Sequence, residues 1–285
     1  MTEFDPREFA KKERANWNEV AASWRKWWHT FEGAAQHLND RLVAMSGVAP
    51  GDRVLDIATG LGEPAITAAR VAGPTGHVTG CDLACSMLEL AAERAAELGI
   101  GQISFQEQNA EQLDVGTAVF DAAVCRWGLM LMGDPLAAAN AVHAALRPGA
   151  RFAAAVWCAP EDVPFIAIPG RVVRKELDLG PPELDAPGPF RMQDPDALPG
   201  LLCAAGFGEI ASERVAVTMQ FDTADSFATF ISEMSSSIGR IMREAEEATR
   251  RRLMSAIVEA VQGFLDEDGR LRMENLTICA VGRRG

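Results

Sequence analysis

Between residues 53 and 157 the chain alternates between two kinds of pattern, and this alternation limits the fold more than any other feature. Short β-branched runs occur at RVLDI (53–57), HVTGCD (77–82), ISFQEQ (103–108), VFDAAVCRW (119–127) and ARFAAAVW (150–157). Ala/Leu/Glu-rich stretches of helix length lie between them at 64–72, 86–98 and 135–146, the last stopped by RPGA. Strand, helix, strand, repeated, means parallel strands joined by right-handed crossovers, with helices on both faces of the sheet. The expected class is α/β with a doubly wound sheet. Such sheets bind ligands in the crevice outside the carboxyl ends of their strands.

The flanks read differently. Trp17, Val20, Trp24, Trp28, Phe31, Ala35, Leu38 and Leu42 recur at helical spacing on one face, which predicts an N-terminal helix or helix pair before the turn GVAPGD (47–52). Residues 160–199 are rich in proline and glycine and read as an irregular insertion with one short helix near 172–177. A helix at 196–205 ending at Gly206, a strand at 209–221, a helical stretch at 225–265 and a last strand at 275–284 complete the chain. The expected organisation is a helical cap (1–46), a ligand-binding core (47–158), and pocket-shaping insertions with the last strands of the same sheet (159–285).

Composition narrows the partners. A formal charge of -13 repels phosphate backbones and anionic membrane surfaces, so neither nucleic acid nor membrane is expected as a partner. The cysteines Cys81, Cys85, Cys125, Cys158, Cys203 and Cys279 show no C-x-x-C pair, and several sit in apolar runs, which predicts buried, reduced thiols and no metal site. The polar N-terminus does not read as a signal peptide, and no apolar run reaches the ~18 residues of a membrane span. A cytoplasmic protein is expected, with a homodimer left open.

The stretch VLDIATGLGEP (54–64) carries the chemistry. Gly60 and Gly62 permit a tight turn and close backbone approach, and the helix that follows offers free N–H groups to an anion. As Gly60-x-Gly62-x-x-Ala65 it reads as a dinucleotide fingerprint; the acid Asp56 ahead of the loop points elsewhere. Asp82, ending the second strand, suits the ribose hydroxyls of either kind of nucleotide. Beyond the loop lie QNAEQL (108–113), FDAAVCRWGLMLMGDP (120–135) and LRPGARFAAAVW (146–157).

With these segments the chain resembles the class I S-adenosylmethionine (SAM)-dependent methyltransferases, over about 17–157 and the last strand, and within them the small-molecule branch that includes the quinone C-methyltransferases. Two positions depart from the family's usual glycines, Ala58 in the loop and Ala150 in the later turn. The resemblance implies a Rossmann-like, mostly parallel seven-stranded sheet with an antiparallel last strand, an N-terminal helical cap and helical insertions before and after the sixth strand. It implies SAM as cofactor, held by Asp56, Ala58, Thr59, Gly60 and Gly62, by Asp82 and Leu83, and by Asn109, Ala110 and Glu111 about the adenine. Trp24, Arg126 and Trp127 complete that set, the last two at the methionyl end.

The implied reaction is in-line attack of a small organic acceptor on the SAM methyl, for which alignment and water exclusion are the enzyme's main tasks. Trp24 and Trp28 either pack on the sheet's helical layer or wall the site. Arg126 either binds the cofactor or an anionic substrate, or pairs structurally with Asp56 or Asp134. Trp28, Arg126, Met234 and Ile238 are candidate substrate contacts. His29 and Glu63 are the candidate bases, should the acceptor need one. Two other readings stand beside this one: a SAM-binding protein without catalysis, and an NAD(P)-dependent oxidoreductase.

Overall fold

The computed structural model describes residues 5–181, 183 and 185–285. Residues 1–4 of the expected cap, and Pro182 and Leu184 of the expected insertion, lie outside the described residues. A seven-stranded sheet is built from β1 (Arg53–Ile57), β2 (His77–Asp82), β3 (Ile103–Glu107), β4 (Phe120–Arg126), β5 (Leu146–Trp157), β6 (Phe207–Phe221) and β7 (Leu271–Arg284). Their order is β3-β2-β1-β4-β5-β7-β6. Every pairing from β3 to β5 is parallel, whereas β7 runs antiparallel to both neighbours. This is the doubly wound, Rossmann-like sheet expected.

The central strands are rich in small residues. Ala122, Ala123, Ala153, Ala154 and Ala155 are fully buried, which lets the covering helices approach the sheet closely. Gly80 of β2 is a forced choice, because a Cβ there would meet the Phe105 ring at 2.8 Å. In register, Asp56 of β1 lies opposite Gly80 of β2 and Val124 of β4, near the carboxyl ends where the sheet's crevice opens.

The N-terminal segment is one helix of 41 residues, α1 (Pro6–Ser46), rather than a pair. Asp5 caps it by accepting from the Arg7 N–H at 2.9 Å, and Gly47 ends it in the left-handed conformation with a φ of 75°. Helices α2 (Ala65–Ala72), α3 (Cys85–Glu97) and α4 (Pro135–Ala145) are the crossovers. The expected short helix near 172–177 is longer: α5 spans Pro164–Glu176. Pro164 fits its first turn, and although Pro169 removes one backbone bond at about 3 kcal/mol, burial of Phe165, Ile168 and Val173 at roughly 1.5–3 kcal/mol each offsets this. After α6 (Ala197–Ala204), the helical stretch beyond β6 divides into α7 (Ala224–Met234), α8 (Ser236–Glu244) and α9 (Glu247–Ala260). Ser235 makes the first division, its hydroxyl accepting from the Ile238 N–H.

Among the described residues no helix is long and apolar enough to cross a membrane, and no group of three or more His, Cys, Asp or Glu is placed to hold a metal ion.

Candidate functional site

The loop between β1 and α2 is a succession of left-handed residues: Ala58 (φ 55°), Gly60 (φ 53°) and Gly62 (φ 92°). Asp56 organises it from below. Its Oδ2 accepts from the Thr59 hydroxyl at 2.6 Å and from the Ala65 N–H at 3.0 Å, tying the loop to the first turn of α2. Asp82 organises it from the side, with Oδ2 accepting from the Gly60 N–H and Oδ1 from the Ala84 N–H, both at 2.9 Å. Leu83, next to it, is half-buried. Space in front of Gly60 is open, since a Cβ there would meet nothing within 4 Å.

Asn109 stands at the end of β3, where its Oδ1 accepts from the Glu111 N–H at 3.0 Å. Ala110 lies in the short helical turn that follows, and the Glu111 carboxylate accepts from the Gly133 N–H at 2.9 Å. The loops after β3 and β4 are thereby joined. The loops after β1 and β4 also touch: a Cβ on Gly128 would lie 2.6 Å from that of Ala58. Segments 56–62, 82–83, 109–111 and 126–127 thus converge at one end of the sheet.

Arg126 pairs with neither of the expected acids. Its guanidinium takes Glu32 of α1 in a two-pronged contact at 2.6 and 2.7 Å and donates to the Asn39 side-chain oxygen Oδ1 at 2.8 Å. Asp134 instead caps α4 by accepting from the Ala137 N–H. Burial works to raise the Glu32 pKa, but the charge and hydrogen bonds of Arg126 win, holding the carboxyl below its ordinary range. Next to Arg126, Trp127 is held at a φ of 58°, donates to Thr277 Oγ1 at 3.0 Å and stacks on Trp157 at 4.1 Å between ring centroids. A chain of rings runs from Trp157 through Trp127, Phe31 and Trp24 to Trp17.

Of the two candidate bases, Glu63 pairs with Arg94, and His29 lines a cavity that Arg94 also lines. Glu63 is buried, with Oε1 paired to Arg94 at 3.0 Å and Oε2 accepting from the Thr67 N–H and hydroxyl. Burial, with Glu32 nearby, raises its pKa. Arg94 also donates to the Leu61 carbonyl and lies 4.2 Å from the Trp28 ring centre. His29 is exposed, its ring against Trp28 on the rim of a cavity of about 310 Å³ that also touches Glu32 and Arg94. Met234 and Ile238 are buried in the main core.

Glu32, Asn39, Arg94 and Thr67 are site residues that sequence reasoning missed. Glu32 and Asn39 follow Phe31 and Leu38 seven residues apart, two polar side chains on the flank of the apolar stripe of α1, and that intrusion was the available signal.

A nucleotide bearing an amino-acid end fits this crevice. Asp56 Oδ1, Trp24 Nε1 and Arg94 Nε are buried without a partner among the described residues, orphaned polar atoms of the kind a polar ligand satisfies. The half-buried Asp82 pKa is raised by burial, against backbone hydrogen bonds that lower it. Burial pushes the Cys81 and Cys125 thiols beneath up to about 12, which leaves them inert.

Comparison with known proteins agrees with this geometry. The methyltransferase-domain family matches residues 49–179. The ubiquinone/menaquinone biosynthesis C-methyltransferase UbiE of Bdellovibrio bacteriovorus is 35% identical over 139 residues, 48% of this chain and 58% of that protein. UbiE of Ectopseudomonas oleovorans is 34% identical over 144 residues, 50% of this chain and 85% of that protein. The chain spans little more than half the length of the first of these relatives. Among solved structures, a Haemonchus contortus phosphoethanolamine N-methyltransferase 2 in complex with SAM superposes with a TM-score of 0.55 at 16% identity, covering 100% of this chain and 61% of that one. The [4+2]-cyclase SpnF superposes with a TM-score of 0.52 at 19% identity, covering 87% and 80%. At such identities these two show the fold alone.

Proposed function

Because the chain belongs to the class I SAM-dependent methyltransferases, a family whose cofactor is SAM, we propose that it transfers a methyl group by in-line displacement to a small organic acceptor. The observation that carries this reading is the pair of carboxylates about the glycine loop, Asp56 tying it to α2 and Asp82 holding Gly60 at the ribose edge. When bound, SAM supplies a methyl already activated on a sulfonium. The chain's own residues then position and dry the site. Asp82 would take the ribose hydroxyls, and Asn109 with the Ala110 backbone would take the adenine. Loop residues 58–62 would receive the amino-acid end.

Arg126 serves this reading by clamping α1 through Glu32, which brings Trp24 and Trp28 over the crevice. Glu63, with both oxygens engaged, holds the loop against Arg94, and of the two candidate bases His29 is the one with no hydrogen-bond partner among the described residues. Met234 and Ile238 are proposed as the floor of the acceptor space under α1, and the acceptor atom, O, N, C or S, is left to the assay. Similarity to UbiE makes quinone-like aromatic acceptors the first to try.

Calorimetry with SAM, S-adenosylhomocysteine and NADH, followed by a screen of phenolic, quinone, amine and thiol acceptors with methyl-labelled SAM, tests the reading. Tight NADH binding without SAM binding would overturn it. A second reading, cofactor binding without methyl transfer, is favoured by the engagement of Glu63, which occupies one of the two candidate bases. SAM binding with a silent acceptor panel would support that one.

A further inference from the structure

We propose that the cavity between α1, α2 and α3 binds a small organic carboxylate, at a site separate from the cofactor crevice. It measures about 310 Å³ and is lined by residues of α1, by Arg70 of α2, by Arg94 of α3 and by Leu98 just beyond it. That volume lies at the low end of the range for small-molecule sites. None of the segments that converge on the cofactor crevice, 56–62, 82–83, 109–111 or 126–127, contributes to the lining.

The charges decide the sign of the ligand. Arg70, Arg94 and Glu32 are the lining residues with a fixed charge. Glu32 is engaged by Arg126, which it meets through both oxygens, and Arg94 is balanced by Glu63. Arg70 is left over, with no hydrogen bond or ion pair among the described residues. The cavity therefore keeps one uncompensated positive charge in a chain whose net charge is -13. A single carboxylate matches it, because the planar fork of an arginine suits that group. Arg94 is the fixed part of the site: its side chain is only 8% exposed and is held by the Leu61 carbonyl and by Glu63.

The rest of the lining leaves room for an apolar body. Gly33 lies in the interior of α1, where glycine is a poor helix former, yet no neighbouring group requires its missing side chain. A Cβ there would meet nothing within 4 Å, so the space belongs to the cavity. Trp28 and Leu98, the latter 41% exposed, supply apolar surface for a ligand to cover. A carboxylate seated here stands behind the cofactor loop, since Arg94 is one hydrogen bond from the Leu61 carbonyl.

The test titrates the full chain with benzoate by calorimetry, with benzamide as the uncharged counterpart of the same shape. Benzoate is expected to saturate at about millimolar concentration, and benzamide to bind at least about tenfold more weakly. Arg70→Gln, at an exposed position, should weaken benzoate by about tenfold or more. Gly33→Leu fills the open space with a good helix former and should weaken benzoate at least as much. Both variants should bind S-adenosylhomocysteine within about threefold of the wild type, because neither residue belongs to the crevice. A wild type without saturable benzoate binding overturns the proposal. An affinity unchanged in either variant also overturns it, and marks an adventitious anion held elsewhere on the surface. Full displacement of benzoate by S-adenosylhomocysteine overturns it too, by placing the anion in the cofactor crevice.

Discussion

Ala58 occupies a backbone conformation that glycine accepts freely and an L side chain disfavours by roughly 1–2 kcal/mol. Its methyl group faces Gly128, where a second Cβ would lie 2.6 Å away. The two positions are therefore one packing unit: the extra methyl on the β1 side demands its absence on the β4 side. Ala58→Gly is expected to raise the unfolding free energy by about 0.5–1 kcal/mol in urea titration, less than the full conformational relief because glycine also loosens the unfolded chain. Gly128→Ala should lower it by about 1–3 kcal/mol through overpacking against Ala58 and Cys125. Combining the two should recover part of that loss, so the double-mutant cycle closes with a favourable coupling. Equal, additive effects would mean that the two loops do not touch.

The helix α1 is attached in two different ways along its length. Residues 35–43 bury Ala35, Leu38, Leu42 and Val43, whereas the earlier half buries Val20 and Ala21 beside Trp17, Trp24 and Trp28 and carries more of the ion pairs at the surface: Arg14–Glu107, Arg25–Glu93, Lys26–Glu233 and Glu19–Arg243. Exposed pairs of this kind are weak and screened by salt. Amide hydrogen exchange should therefore be faster in 10–28 than in 35–46, where Arg41–Glu213 is the exposed pair, and raising the ionic strength should accelerate the first group more. At the junction sits Glu32, whose partner Arg126 is buried with it. Glu32→Gln leaves that guanidinium without its counter-charge and should cost about 3–5 kcal/mol of stability by denaturant titration. The expected strands and crossover helices at 53–157 were legible because periodicity and β-branching are local signals, and Asp56 and Asp82 were legible because each is an acid at or next to the end of an apolar strand. The Glu32–Arg126 pair was not, since the two are 94 residues apart and only the folded sheet brings α1 to the end of β4. The length of α5 was hidden for another reason: its prolines read as punctuation, while the burial that sustains the helix is tertiary.

Taken as a whole, the molecule hides a proton-dependent element in a strongly acidic protein. Asp56 has a folded-state pKa raised from an ordinary 3.8 to about 8, and Glu63 is raised as well. The folded chain therefore keeps protons that the unfolded chain has released, so stability falls as pH climbs from about 3.8 to about 8 and levels off beyond. Glu32 works in the opposite sense, because its lowered value makes its contribution vanish as the solution turns acid. The melting temperature should thus decline across the neutral range up to about pH 8, and Asp56→Asn should flatten most of that decline; an unchanged slope in the variant would assign it to other groups. The aromatic chain has a consequence of a different kind. The protein has six tryptophans and no tyrosine, and all six lie either on α1 or just past β4 and at the end of β5. Its tryptophan emission therefore originates where α1 meets the rest of the protein and past the ends of β4 and β5, and it reports whether that helix is seated.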